Sequence, residues 1–287
     1  MATLYEETRA ALRESEFKPR KRLGQNFLIH ERVLEAILEL LALTTNDSVL
    51  EIGPGLGFLT RRLVDRAGRV WAVEVDPFLI GRLQQSDLTA NRKFHLVPGD
   101  ILKVPLPEIL PKEKIKLVGN LPYSISTPAL FRMLELRDRF SSMVLMVQKE
   151  VADRIASRPG TKAYGTLSVW CQVHGRVIDK VQVSPEAFFP RPKVRSTVLK
   201  IELYPEPLVA REEIPVLRGL VRAAFGQRRK TLGNVMSTWL KSGRDDVELF
   251  LRSRDIDPQR RGETLSVENF IGLAQALRSS ALFRADS

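Results

Sequence analysis

Between residues 48 and 148 the chain alternates short, nearly uninterrupted apolar runs with stretches of helical spacing, and few folds accept that pattern. SVLEIG (48–53), RVWAVEVD (69–76), FHLVPGD (94–100), KIKLVGN (114–120) and SSMVLMVQ (141–148) read as strands, with FLTRRLVDRA, PFLIGRLQQS and TPALFRMLELRD as helices among them. Strands separated by helices of this length imply βαβ crossovers and a mainly parallel sheet. Apolar runs without polar alternation imply strands covered on both faces. HERVLEAILELLAL (30–43) precedes them as a helix, with Val33, Leu34, Ile37, Leu38 and Leu41 on one face. GTLSVWCQV, RVIDKVQV and STVLKIEL are three further strand candidates, with prolines clustered in VSPEAFFPRPKV (183–194). Behind YPEPLV (204–209) the strands stop, and EEIPVLRGLVRAAFGQRRKTLGNVMSTWL and SVENFIGLAQALRSS read only as helices. The expectation is an α/β domain over 1–207, whose first 22 residues are a short helix and a basic arm, and a small all-α domain over 208–287.

Composition narrows the function. The 287 residues are 44% hydrophobic, enough for a sizeable core. No window of about 18 uninterrupted apolar residues exists to span a bilayer. The N-terminal stretch has no signal-peptide core, and Glu6, Glu7, Glu14 and Glu16 argue against a transit peptide. Cys171 is the only cysteine, which excludes an internal disulfide and a thiolate cluster. With His30, His95 and His174 scattered, no metal site is expected. A cytoplasmic protein without membrane contact, working as a monomer, is the expectation. Lys and Arg total 45 against 34 acids, for a net charge of +11. Such a surface favours polyanions through phosphate contact and counterion release. The charge is clustered at Lys18, Arg20, Lys21 and Arg22, and again at Arg228, Arg229 and Lys230. Clustering favours nucleic acid or a ribonucleoprotein over a merely solubilising surface, with Lys21, Arg22 and the second triplet as the candidate contacts.

EIGPGLG (51–57) follows the first strand and opens a helix, where doubly wound folds bind nucleotides. Gly53, Gly55 and Gly57 let backbone approach a ligand. The G-x-G-x-x-G spacing fails, because Phe58 or Thr60 stands where the third glycine should be, and there is no Walker lysine. The turn therefore suits an uncharged or cationic nucleoside better than a pyrophosphate. Glu74 ends the second strand, placed to accept from ribose hydroxyls, and Asp100 ends the third, placed for an exocyclic amine. Two acids at successive strand ends beside such a turn resemble the S-adenosylmethionine site of Rossmann-like methyltransferases.

NLPY (120–123) ends the fourth strand and so faces the same crevice. An adenine N6 is a poor nucleophile because its lone pair is delocalised. The Asn120 amide oxygen and the Leu121 carbonyl, accepting its two N–H groups, would free that lone pair. Pro122 stiffens the turn. Tyr123 would stack on the base, and only its ring, not its hydroxyl, is needed for that. The adjacent Phe188 and Phe189, in AFFPRPKVRS (187–196), offer a second aromatic wall.

KRLGQNFL (21–28), EIGPGLGFLT (51–60), Glu74, GD at 99–100, NLPYSIST (120–127), FFPRPKVRS (188–196) and FGQRRKTL (225–232) occur in this order. Together, over essentially the whole chain, they resemble the KsgA family of small-subunit ribosomal RNA adenine N6-dimethyltransferases. The resemblance implies a Rossmann-like, S-adenosylmethionine-dependent methyltransferase domain with a small helical RNA-binding domain. It implies dimethylation of two adjacent adenines in the hairpin loop near the 3′ end of 16S ribosomal RNA, within the small subunit or its precursor. Position by position, it puts Asn26, Leu28, Gly53, Glu74, Asp100 and Asn120 along the cofactor, beside Gly55 of the same turn. Asn120, Leu121 and Tyr123 would handle the adenine, with Phe188 as the wall. Two positions depart from the family pattern: Arg195 stands where an acid is usual, and Arg261-Gly262-Glu263 replaces R-A-E, which puts a helix cap in question. Competing readings are an Erm-type dimethylase of large-subunit RNA, a DNA adenine methyltransferase, and a non-catalytic ribosome-assembly or transcription factor.

Overall fold

In the computed structural model, residues 3–14, 19–20, 23–280 and 282–283 are described. The chain packs as two units, Met1–Ala152 with Arg176–Leu203 and Asp153–Gly175 with Tyr204–Ser287.

The first unit opens with α1 (Leu4–Glu14), β1 (Phe27–Leu28) and α2 (Glu31–Leu41). It continues through β2 (Ser48–Ile52), α3 (Phe58–Arg66), β3 (Arg69–Glu74), α4 (Pro77–Gln84), β4 (Phe94–Pro98) and the short α5 (Leu106–Ile109). Then come β5 (Ile115–Asn120), α6 (Ser126–Glu135), β6 (Phe140–Gln148) and the start of α7 (Lys149–Ile155). After the excursion into the second unit the chain returns with β7 (Gly175–Val183), β8 (Phe188–Phe189) and β9 (Ser196–Leu203). Seven of these strands form one sheet in the order β4-β3-β2-β5-β6-β9-β7. β4 through β6 pair in parallel, and β9 runs antiparallel to β6, with Gln148 opposite Ser196. Leu50 and Ile52 alternate with Val49 and Glu51 along β2, yet all four are buried, as a sheet covered on both faces requires. α2, α3 and the strands share one core through Ile37, Leu38, Leu63, Val70, Val118 and Met146.

Local chemistry sets the boundaries. Asp76 accepts the Phe78 N–H at 2.9 Å, and Pro77 supplies a preset φ at the first turn of α4. Gly68 sits where a Cβ would lie 2.5 Å from the Thr45 carbonyl oxygen, so the turn into β3 admits no side chain. The strand order runs outward from β2 in both directions, which sets a crevice at the carboxyl ends of β2 and β5.

The second unit comprises the end of α7 with α8 (Thr166–His174), α9 (Ile214–Gly226), α10 (Leu232–Leu240), α11 (Arg244–Arg252) and α12 (Val267–Arg278). α9 is its centre, contacting α8, α10 and α12. GTLSVWCQV, expected as a strand, is the helix α8. Its Leu167, Ser168, Val169, Trp170, Cys171, Val173 and His174 are all buried, and a segment apolar on every side carries no periodicity to separate helix from strand. The same fact explains the division of the chain. A single cut at 207 would leave 153–175 with the sheet, whereas α8 packs on α9 and α12.

Gly262 shows why alanine is missing from Arg261-Gly262-Glu263. A Cβ there would lie 2.8 Å from both the Ala224 Cβ and the Ala224 carbonyl oxygen of α9. Gly262→Ala should therefore cost about 1–3 kcal/mol of stability through overpacking. Gly272→Ala, on α12 where a Cβ meets nothing within 4 Å, should be neutral or stabilising. Thermal unfolding of both variants checks the pair; equal midpoints would mean that the 262 turn yields freely.

Candidate active site

The ends of β2, β3, β4 and β5 converge on one cavity. Its lining includes Asn26, Leu28, Glu51, Gly53, Gly55, Glu74, Asp100, Asn120, Leu121, Tyr123 and Phe188. The cofactor and base-handling candidates from Asn26 to Phe188 are thus in one place, while Gly57 and Phe189, also named from the sequence, are not part of that lining.

Gly53 and Gly55 take φ of 69° and 59°, a region that side chains disfavour. A Cβ on Gly53 would meet nothing within 4 Å, so the turn presents bare backbone to the cavity. The Gly53 N–H is tied to the Val73 carbonyl at 2.9 Å, and the Gly55 N–H donates to Glu74 Oε2 at 3.2 Å. An amide that could have met a phosphate faces a carboxylate instead.

Glu74 is 5% exposed. Its Oε1 accepts the Val75 and Asp76 N–H groups, both at 2.9 Å. Burial raises its pKa, and the three backbone N–H bonds work in the opposite direction. Beside it lies Glu51, which the sequence reading passed over; the only signal was an acid inside an otherwise apolar strand. Glu51 is 2% exposed and accepts the Thr60 hydroxyl at 2.7 Å. Burial pushes its pKa up to about 8, the Thr60 bond lowers it, and the Glu74 charge raises it further. Glu51 thus keeps its proton near neutral pH. Glu74, both of whose oxygens accept backbone N–H groups, is the acid placed to repel an anion and to gain from a cation. Asp100, half-buried, accepts the Leu102 N–H on Oδ1 at 2.9 Å, which leaves Oδ2 without a hydrogen bond among the described residues.

Asn120 closes β5, and its Nδ2 donates to the Asn26 carbonyl at 3.1 Å. Asn26 in turn donates to the Gly24 carbonyl at 3.0 Å. Gly24, with φ of 60°, lies so close to the turn that a Cβ would sit 3.3 Å from Pro122 Cβ. The segment entering the site is pinned a second time where Gln25 Nε2 donates to Asp76 Oδ2 at 2.8 Å. Leu121 is buried, and its N–H donates to the Met146 carbonyl at 3.0 Å. Tyr123 is half-buried, and its phenol lies 3.1 Å from Ser196 Oγ. Phe188 lines the cavity but is only 3% exposed and belongs to the central core, so it offers little ring surface. Phe189 packs elsewhere, with Tyr5 across its edge at 6.0 Å between centroids.

Of the candidate RNA contacts, Lys21 and Arg22 lie outside the described residues. Arg228, Arg229 and Lys230 follow α9 and are exposed. Arg228 nonetheless bonds the Lys162 carbonyl at 3.2 Å and the Tyr164 carbonyl, holding a loop of its own unit. Arg195 gives its carbonyl to the Lys149 N–H at 2.9 Å. Among the described residues no group of three or more His, Cys, Asp or Glu could hold a metal ion, and no helix is long and apolar enough to cross a membrane.

Comparison with known proteins agrees with this geometry. Residues 16–278 match the model of the family described as ribosomal RNA adenine dimethylase. A "Ribosomal RNA small subunit methyltransferase A" of Clostridium botulinum is 42% identical over 271 residues, covering 94% of this chain and 98% of that one. A protein of the same name from Geobacter metallireducens is 43% identical over 270 residues, 93% and 98% of the two chains. Among solved structures, a dimethyladenosine transferase from Plasmodium falciparum has a TM-score of 0.74 at 26% identity, covering 86% of this chain and 95% of that one. The 23S rRNA methyltransferase ErmE has a TM-score of 0.66 at 26% identity, covering 88% and 100%. With one family model spanning nearly its whole length and the strand-end crevice complete, the chain belongs to the ribosomal RNA adenine dimethylases.

Proposed function

We propose that this chain dimethylates N6 of two adjacent adenines in the 3′-terminal hairpin loop of 16S ribosomal RNA, on the small ribosomal subunit or its precursor, in the cytoplasm. One observation carries the reading: an amide whose nitrogen is already engaged stands beside a half-buried phenol ring at the end of β5. The names of the relatives above and the motif set from KRLGQNFL to FGQRRKTL support the small subunit over the large as target.

The site fits S-adenosylmethionine. The bare Gly53 backbone, the Glu74 carboxylate and the open Oδ2 of Asp100 suit a nucleoside that carries positive charge. When bound, that cofactor supplies an electrophilic methyl group on a cationic sulfur. Asn120 Nδ2 is committed to Asn26, so Oδ1 is the atom left for the adenine amine. The Leu121 carbonyl, which accepts no hydrogen bond among the described residues, is the second acceptor. Two acceptors on the N6 hydrogens draw the amine out of conjugation and aim its lone pair. The Tyr123 ring stacks on the base, a contact worth about 1–3 kcal/mol. With the lone pair so aimed, a new N–C bond would form as the carbon–sulfur bond broke to leave a neutral thioether. The surplus amine proton would pass to water, so this chain need supply no strong base. Alignment does most of the work and can supply about 7–11 kcal/mol.

Asn120→Ala should cost roughly a hundred-fold or more in single-turnover methylation, as the loss of one preorganised polar group does. Affinity for the substrate particle should hold, because phosphate contacts dominate it. Full methylation by this variant would remove Asn120 as the acceptor that orients the adenine amine.

Unfolded, Glu51 gives up its proton near 4.5; folded, only near about 8. The folded chain therefore holds an extra proton between those values, and stability falls as pH rises across that window. Glu51→Gln, which can still accept from Thr60, should flatten this fall by something on the order of 3 kcal/mol. Denaturant titrations of both proteins at about pH 5 and about pH 8.5 check it; parallel losses would place the titration elsewhere.

Arg229 and Lys230 remain the candidate phosphate contacts of their triplet. Replacing both by Ala should weaken particle binding and lower the salt slope by about two. Arg228→Ala should instead lower the melting temperature, since its guanidinium holds the 162–164 loop. Binding measured across a salt series, with calorimetry of each variant, separates the two roles.

A further inference from the structure

The antiparallel strand β9 lies outside the parallel array that builds the crevice, yet its first residue reaches the NLPY turn. Ser196 is fully buried, stands opposite Gln148 of β6, and brings its hydroxyl to 3.1 Å from the Tyr123 phenol. The backbone just before it is fixed by the Lys149 N–H on the Arg195 carbonyl at 2.9 Å. The turn is held to the same strand pair again, because the Leu121 N–H donates to Met146, and Met146 pairs with Val198. Ser196 therefore stands on a rigid base. Tyr123, by contrast, sits on a turn, with its backbone held by the Ser126 hydroxyl on its carbonyl at 3.3 Å. A ring on such a turn can swing about its χ angles unless its far end is fastened.

We propose that Ser196 is a positioning residue for methyl transfer: its hydroxyl fastens the Tyr123 phenol and so sets the plane on which the target adenine stacks. This rests on the reading of Tyr123 as the stacking platform. It also gives the phenol a purpose that does not involve taking a proton from the adenine. The contribution should weigh most on the second methyl transfer. Once N6 carries a methyl group, only one N–H remains for the Asn120 and Leu121 acceptors. The stacking plane must then hold more of the alignment.

The test compares Ser196→Ala, Tyr123→Phe and the double variant on unmethylated small-subunit particles. It follows single-turnover rates, particle affinity, and the ratio of N6-methyl to N6,N6-dimethyl adenosine. Each single variant should lose roughly two- to ten-fold in rate, the range of one net hydrogen bond, with unchanged affinity and a raised share of monomethyl product. The double variant should be no worse than either single one, because both remove the same contact. Wild-type rate and product ratio in Tyr123→Phe would overturn the proposal even if Ser196→Ala folded poorly, and additive losses in the double variant would do so as well. If the parent protein itself leaves these adenines unmethylated, the proposed function fails instead, and the two failures are distinct.

Discussion

Glu74 holds the site together. One buried carboxylate at the end of β3 receives backbone N–H groups from Gly55, Val75 and Asp76. Asp76, so oriented, caps α4 with one oxygen and takes Gln25 with the other, while Arg20 lies 3.6 Å from that second oxygen. The Gly-rich turn, the start of α4 and the entering N-terminal segment thus share one anchor. On the opposite side the same segment takes the Asn120 amide. A change in the Glu74 environment would reach the glycine turn and the strap that bears Asn26 and Leu28, and through that strap the amide beside the target base.

Electrostatics divides the molecule by scale. The whole chain carries +11, which suits a polyanionic partner at long range. The cavity reverses that sign locally through Glu74, buried in its wall with both oxygens accepting backbone N–H groups. RNA is drawn to the protein while its phosphates are discouraged from the cofactor site, and a nucleoside with a positive centre is favoured there. Burial makes this arrangement costly for the protein alone, as the raised pKa of Glu74 and of the neighbouring Glu51 records.

Most of the parallel sheet was legible from the chain. Five apolar runs with helices between them became β2 to β6 because such runs are buried on both faces and cross over in one sense. The glycine turn, Glu74, Asp100 and NLPY could be read as one site for a related reason: parallel strands put all their carboxyl ends on one edge. GTLSVWCQV could not be read, because a segment buried all round has no polar face to reveal its period. Nor could the role of Arg228, whose guanidinium folds back on a loop more than sixty positions earlier in the chain.

Sequence alone determined the order of elements, the chemistry at each strand end and the excess of positive charge, because these depend on residue type and local period. Tertiary structure decided which side chains complete the site. Glu51 became a pocket acid only once β2 was buried beside Glu74, and Ser196 reached Tyr123 only because β9 turned antiparallel against β6. Phe188, expected as an aromatic wall for the base, lines the cavity but went largely into the core because β8 pairs with β1 and carries it inward. Contacts between residues far apart in the chain leave no local pattern in it; they exist only when packing brings the partners within bonding distance.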